Sequence, residues 1–262
     1  MINTLMSSLF NDYKSKALNR SFPFSYTEKV NFWVMNQHVN FGKLKDIQRG
    51  IAAQVSTEDA IKIDDIRFIA GFDVAFFGNK CVCAAVVLDF KTLKVVEKKF
   101  VVTKSPMNYV PGFLAFREGP IMMQLYFDLE HEPDLIMVDG HGIAHPLNAG
   151  LAAYVGVELS KPVIGVAKSL LAGEEKDGRI LLEGNEVGVL VKTKEYAKPL
   201  YVSPGNMISI ATAAEIVRRC VVPPHKMPEP LHVAHRTADK AMVEEKSRNN
   251  EEKIKKTEIN AE

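Results

Sequence analysis

Three carboxylates in three different sequence settings are the residues of this chain best suited to chemistry: Asp73, Glu118 and Asp139. Asp73 interrupts an apolar, β-type run, Arg67-Phe68-Ile69-Ala70-Gly71-Phe72-Asp73-Val74-Ala75-Phe76-Phe77. An ionised carboxylate inside a sheet must be paired, hydrogen-bonded or bound to a cation; otherwise its pKa shifts and it neutralises. Asp139 closes the run Asp134-Leu135-Ile136-Met137-Val138-Asp139, which opens into Gly140-His141-Gly142, the position where open α/β sheets present ligand-binding groups. Glu118 follows Phe113-Leu114-Ala115-Phe116-Arg117 early in an amphipathic helix and can reach the same point from a neighbouring element. Carboxylates with oxygen-only donors suit Mg²⁺ or Mn²⁺, hard cations that keep several waters and also bind substrate phosphate. A single strand-terminal Asp is commonly a helix cap or an ion-pair partner, and Asp139 can be read so. Three such positions, one of them midway through an apolar run, are harder to explain by capping.

Other residues carry weaker signals, each with an ordinary structural alternative. Tyr109, in Asn108-Tyr109-Val110-Pro111-Gly112, puts an aromatic ring on a stiffened loop, able either to wedge between bases or to pack on its own domain. The run Gly140-His141-Gly142-Ile143-Ala144-His145-Pro146 lets backbone amides approach a ligand closely but is not a dinucleotide fingerprint. Its histidines can contact phosphate or satisfy loop carbonyls. Lys168 ends the apolar run Gly165-Val166-Ala167, where it either stabilises phosphate charge or extends into solvent. His225, His232 and His235 are too irregularly spaced for a zinc motif, and His235 opens the last helix.

The elements that must position these residues follow from periodicity. Helical spacing covers 44–55. Strands over 67–77, 81–90 and 93–103 read as an antiparallel meander, followed by a helix over 113–131, a strand over 134–139, a helix over 147–158 and a strand over 162–167. Short strands are predicted at 186–193 and 199–202, and a helix over 208–220. This order argues for α/β architecture, a mixed sheet with helices on its faces. Residues 1–42 are an N-terminal extension of unknown role, with a turn at Asn19–Phe24 and the only tryptophan, Trp33. The tail over 241–262 is charged and read as flexible.

The chain has 262 residues, 47% hydrophobic and 25% charged, enough for one globular domain with added ends. A net charge of +1 means that a nucleic-acid partner would be held by a local basic patch and not by a global field. Cys81, Cys83 and Cys220 lack metal-binding spacing and read as reduced core thiols of a cytoplasmic protein. No apolar run approaches the roughly 20 residues that span a bilayer.

These same residues fall in an ordered series that resembles the endonuclease V family between about Leu44 and Asp239. The series comprises Phe72-Asp73-Val74-Ala75, Tyr109 to Pro120, Val138 to Pro146, Gly165 to Ser169, Tyr201 to Asn206 and Pro228 to His235. The resemblance implies a ribonuclease H-like fold, a mixed β-sheet flanked by helices, in a catalytic domain over 43–240, with Asp73 on the first central strand and Asp139 ending the fourth. It further implies Mg²⁺-dependent DNA repair, with Mn²⁺ able to substitute. A monomer would recognise deaminated purines, above all deoxyinosine, and hydrolyse the second phosphodiester bond 3′ to the lesion, leaving 3′-hydroxyl and 5′-phosphate ends. Asp73, Glu118 and Asp139 would hold metal, with Lys168 near the scissile phosphate and His235 orienting water or joining the metal shell. Tyr109 would be the wedge, and Gly112, Leu114, Gly140, Leu151 and Leu171 would line the hypoxanthine pocket. The chain departs from many bacterial members in carrying Leu147 where an Arg is common and Asn108 where a Pro is common.

Inosine-containing RNA is the nearest alternative substrate, decided by contacts to the 2′-hydroxyl. Two other readings use the same fold: a nucleotide-binding regulator holding Mg²⁺ without strand cleavage, and a non-cleaving nucleic-acid binder. Tyr109 and Lys168 argue against the first, and the complete acidic triad against the second.

Overall fold

In the computed structural model residues 39–259 are described, those from 249 onward for their backbone alone. The predicted turn at Asn19–Phe24 and Trp33 therefore lie outside the described residues. Helix α1 (Phe41–Ala52) is followed by β1 (Phe68–Phe77), β2 (Lys80–Asp89), β3 (Val95–Lys104), α2 (Leu114–Phe127), β4 (Leu135–Asp139), α3 (Leu151–Leu159) and β5 (Val163–Ala167). The chain continues through β6 (Glu174–Lys176), β7 (Arg179–Leu182), β8 (Asn185–Val191), β9 (Leu200–Asn206), α4 (Ile210–Arg219) and α5 (Glu229–Ile259). The β6–β7 hairpin is an addition to the predicted strands; β6 is exposed throughout, so it carries no apolar alternation to read.

The nine strands of the described residues form one sheet in the order β3-β2-β1-β4-β5-β9-β8-β7-β6. β1–β3 are the predicted meander, while β4 and β5 run parallel to β1 and β9 returns antiparallel to β5. Helices cover both faces of the central strands, which explains the unbroken apolar sequence of β2. Its alternate residues split between two cores: Val86 and Leu88 face the side of α4 and α5, and Cys83, Ala85 and Val87 face the side of α2 and α3. The edge strand β3 is mostly exposed and rich in lysine, which discourages pairing with other strands.

Two features of this frame build the site. Phe72 pairs with Val138, so Asp73 and Asp139 stand level on adjacent strands, roughly 4.8 Å apart by sheet spacing. β4 stops at Asp139, whereas β1 continues to Phe77, leaving a notch beside the upper half of β1. α5 crosses β1 so closely that a Cβ on Gly71 would lie 2.1 Å from the Pro230 carbonyl oxygen. Beyond that crossing Ala238 and Ala241 are buried and Glu245 pairs with Lys80 at 2.8 Å, anchoring the helix past the end of β1. No helix among the described residues is long and apolar enough to cross a membrane.

All three cysteines are free and buried. Burial pushes the thiols of Cys81 and Cys220 up to about 12, which keeps them protonated and unreactive.

Candidate active site

The notch is an open cleft of about 390 Å³, and Asp73, Glu118, Asp139, Lys168 and His235 all line it. Five residues from five segments, spread over more than half the chain, thus converge. Asp73 and Glu118 are 8% and 7% exposed, among the few buried charged side chains. Burial is the main reason that the Asp73 pKa is raised, with the neighbouring Asp139 charge adding to it. Glu118 is pushed well up by burial and then by the charges of Asp73 and Asp139. Positive groups answer this repulsion. Lys168 Nζ donates to Asp139 Oδ2 at 2.6 Å; burial draws the ammonium's pKa down, but Asp139 outweighs that and holds it above its ordinary value. His235 Nδ1 lies 2.6 Å from Asp73 Oδ2 and its Nε2 lies 3.3 Å from Asp239 Oδ2.

Among the described residues no three carboxylates, imidazoles or thiolates form a ready cation cage. The donor chemistry nevertheless fits a hard divalent ion. Mutually destabilising, largely buried carboxylates are the oxygen donors that such a cation neutralises, and Cys83, which lies within reach of the Glu118 and Asp73 charges, is a protonated core thiol.

The residues assigned to a base pocket are partly brought together. A Cβ on Gly140 would lie 3.1 Å from Leu151 and 3.7 Å from Leu114, so these three line one narrow space. Gly112 takes φ +81, a left-handed conformation that favours glycine, and turns its carbonyl inward. Leu171 is 37% exposed on the loop after β5 and lies outside the apolar cluster that holds Leu114 and Leu151. Tyr109 is 60% exposed.

Several contributors were not singled out from the sequence. Arg117 lies 3.7 Å over the Phe76 ring and 5.8 Å from that of Tyr109, linking the candidate wedge to β1. Asp239 is one helical turn beyond His235, a spacing that could have flagged it. Gln48, in a helix whose pattern signalled only packing, is 2% exposed and donates from Nε2 to the Gly112 carbonyl at 2.7 Å. His145 also reaches that carbonyl, 3.0 Å from Nε2, while its Nδ1 accepts from the Leu147 N–H at 3.1 Å. Those two bonds fix the neutral tautomer with hydrogen on Nε2. Leu147 thus serves through its backbone, and His141 is likewise structural, with Nε2 2.9 Å from the Ser169 carbonyl beside Lys168.

Comparison with known proteins gives this geometry a family. Residues 49–236 match the family model described as Endonuclease V. The Endonuclease V of Dictyoglomus thermophilum is 38% identical over 204 residues, covering 75% of this chain and 88% of the relative. Among solved structures, the Endonuclease V of Streptomyces avermitilis superposes with a TM-score of 0.74 at 30% identity, over 80% of this chain and 96% of that one. Ciona intestinalis Endonuclease V, in complex with a 24mer DNA containing an inosine followed by a ribo-adenosine, gives 0.71 at 26% identity, over 78% and 98%. The mixed sheet flanked by helices is accordingly shared with nucleases of known structure, and this chain belongs to the endonuclease V family.

Proposed function

We propose that this nuclease cuts strands at deaminated purines, deoxyinosine above all, hydrolysing the second phosphodiester bond 3′ to the lesion and leaving 3′-hydroxyl and 5′-phosphate ends. The observation that carries the reading is the convergence of Asp73, Glu118, Asp139, Lys168 and His235 on one open cleft. The inosine-containing DNA bound by the Ciona relative supports the choice of lesion.

Asp73, Glu118 and Asp139 would hold Mg²⁺, or Mn²⁺ in its place. A divalent ion supplies Lewis-acid charge and an activated water for in-line displacement at phosphorus. Lys168 places its ammonium where the phosphoryl oxygens gain charge, exchanging its Asp139 contact for substrate. His235, held between Asp73 and Asp239, orients the attacking water. The flipped base enters between Leu114, Gly140 and Leu151, with Gly112 and Leu171 at its margin, while the exposed Tyr109 fills the gap left in the stack. Residues 43–240 are the catalytic unit of this reading, acting as a cytoplasmic monomer, with 1–42 and 241–262 as additions.

A second substrate, inosine-containing RNA, is favoured by the ribo-adenosine that follows the inosine in the nucleic acid held by the Ciona relative. The deciding experiment is Mg²⁺-dependent cleavage of matched DNA and RNA strands carrying one inosine, with inosine-free controls and the Asp139→Ala protein. A nick one nucleotide beyond the inosine, absent with Asp139→Ala, is expected; binding without any lesion-dependent nick would refute the reading.

A further inference from the structure

A second groove, of about 570 Å³, lies across α5 from the carboxylate cleft, between that helix and the edge strand β3. One helix therefore serves both. His235, Asp239 and Met242 line the cleft, and the neighbouring positions Arg236 and Lys240 line the groove, so the two are separated by about 10 Å, the width of a helix.

The groove carries positive charge without matching counter-charge. Lys98 projects into it from β3, opposite Arg236 and Lys240. Among the described residues Lys98 and Arg236 form no ion pair, and Lys240 reaches Glu244 only at 4.0 Å, with both side chains largely in water. The other acid, Glu229, is engaged by His225 Nδ1 at 3.0 Å. That histidine stacks on His232 with centroids 3.6 Å apart, and His232 Nε2 is buried without a hydrogen-bond partner. Beside these groups Phe100, 48% exposed, offers an aromatic face.

Three cations along a track, two of them without an ion pair among the described residues, with an exposed ring beside them, match a single-stranded nucleic acid, whose phosphates need counter-charge and whose bases stack on aromatic faces. A protein-docking surface is instead depleted of charge, lysine above all, at its centre. We infer that this groove is a second nucleic-acid contact, holding the backbone of the strand as it leaves the carboxylate cleft over α5. The inference takes its polyanion from the nuclease reading of the cleft, yet it concerns phosphate and not the lesion.

The test is an anisotropy titration in EDTA over a series of NaCl concentrations, comparing the wild-type chain with K98A/R236A/K240A. Two strands are used: one long enough to span both sites and one trimmed to the cleft, each with and without inosine. On the long strand the slope of log Kd against log salt should shrink by about 2, three contacts at roughly 0.7 each, with binding at low salt weakened on the order of tenfold. The trimmed strand should bind both proteins alike. An unchanged slope on the long strand, or an equal loss on the trimmed one, overturns the inference. Lys98→Glu, at an exposed strand position, repeats the measurement with one substitution if the triple variant unfolds early. Because the slope change is expected on inosine-free strands too, a failure of lesion-specific cleavage leaves this result separately readable.

Discussion

Each charge in the cleft is tolerable only because of its neighbours. Two buried carboxylates beside a third are driven towards protonation, and Lys168 and His235 offset that by contacting one each. Lys168→Met should therefore lower single-turnover cleavage by about 10²-fold or more, the scale of losing one preorganised charge donor, with strand affinity changed far less. Among the described residues the Tyr109 ring is met by Arg117, at 5.8 Å, and lines no part of the carboxylate cleft, so its truncation leaves the carboxylates untouched. Tyr109→Ala should reduce the ratio of inosine to adenosine cleavage by about 5- to 100-fold, the range of one lost base–aromatic stack. An equal loss on every substrate would count against the wedge. The types and settings of these residues were legible beforehand because a carboxylate inside an apolar run is conspicuous. Gln48 was not, since a buried amide inside a helical pattern looks like any other polar position.

The element that matters most is α5, which brings His235 to Asp73 only because Gly71 lets the helix lie against β1. Gly71→Ala forces the two backbones apart and should destabilise the fold by roughly 1–3 kcal/mol, as overpacking does, with cleavage lost beyond what stability explains. Gly50→Ala, in α1 with open space around it, should stabilise by roughly 0.5–1 kcal/mol; paired thermal melts and cleavage rates check both. Edge strand β3 is tied to the loop before β4 by Glu97. Burial raises its pKa, but the N–H groups of Glu130 and His131, with the side chains of His131 and Lys99, win and hold it at about 2. A folded pKa below the ordinary 4.5 contributes stability that is complete above 4.5 and is lost as pH falls towards 2. Glu97→Gln should therefore flatten the decline in stability across that window, as read by urea melts at stepped pH. The meander, α2, β4 and β5 were legible because their apolar periods are long. The predicted helix over 113–131 ends at Phe127 instead, and the one over 147–158 begins at Leu151, because loop residues on either side extend the apolar pattern beyond the hydrogen-bonded turns.

For the molecule as a whole, a clustered negative site inside a chain of net charge +1 makes its stability depend on what neutralises the cluster. Mg²⁺ or Mn²⁺ should raise the melting temperature of the wild-type protein, with a gain of about 2.7 kcal/mol at a hundred times Kd. Asp139→Ala should lose most of that gain, and an equal gain in the variant would place the cation elsewhere. The sequence by itself determined the acidic residues, the succession of the central strands and helices along the chain, and the family, because each rests on local patterning or on an ordered series of motifs. Tertiary structure alone decided the rest. That Asp73 and Asp139 stand level is a matter of strand register. That Lys168 and His235 occupy the carboxylates depends on where β5 ends and how α5 crosses the sheet. The basic groove joins β3 to α5 across more than a hundred residues of chain, a distance that no local period encodes.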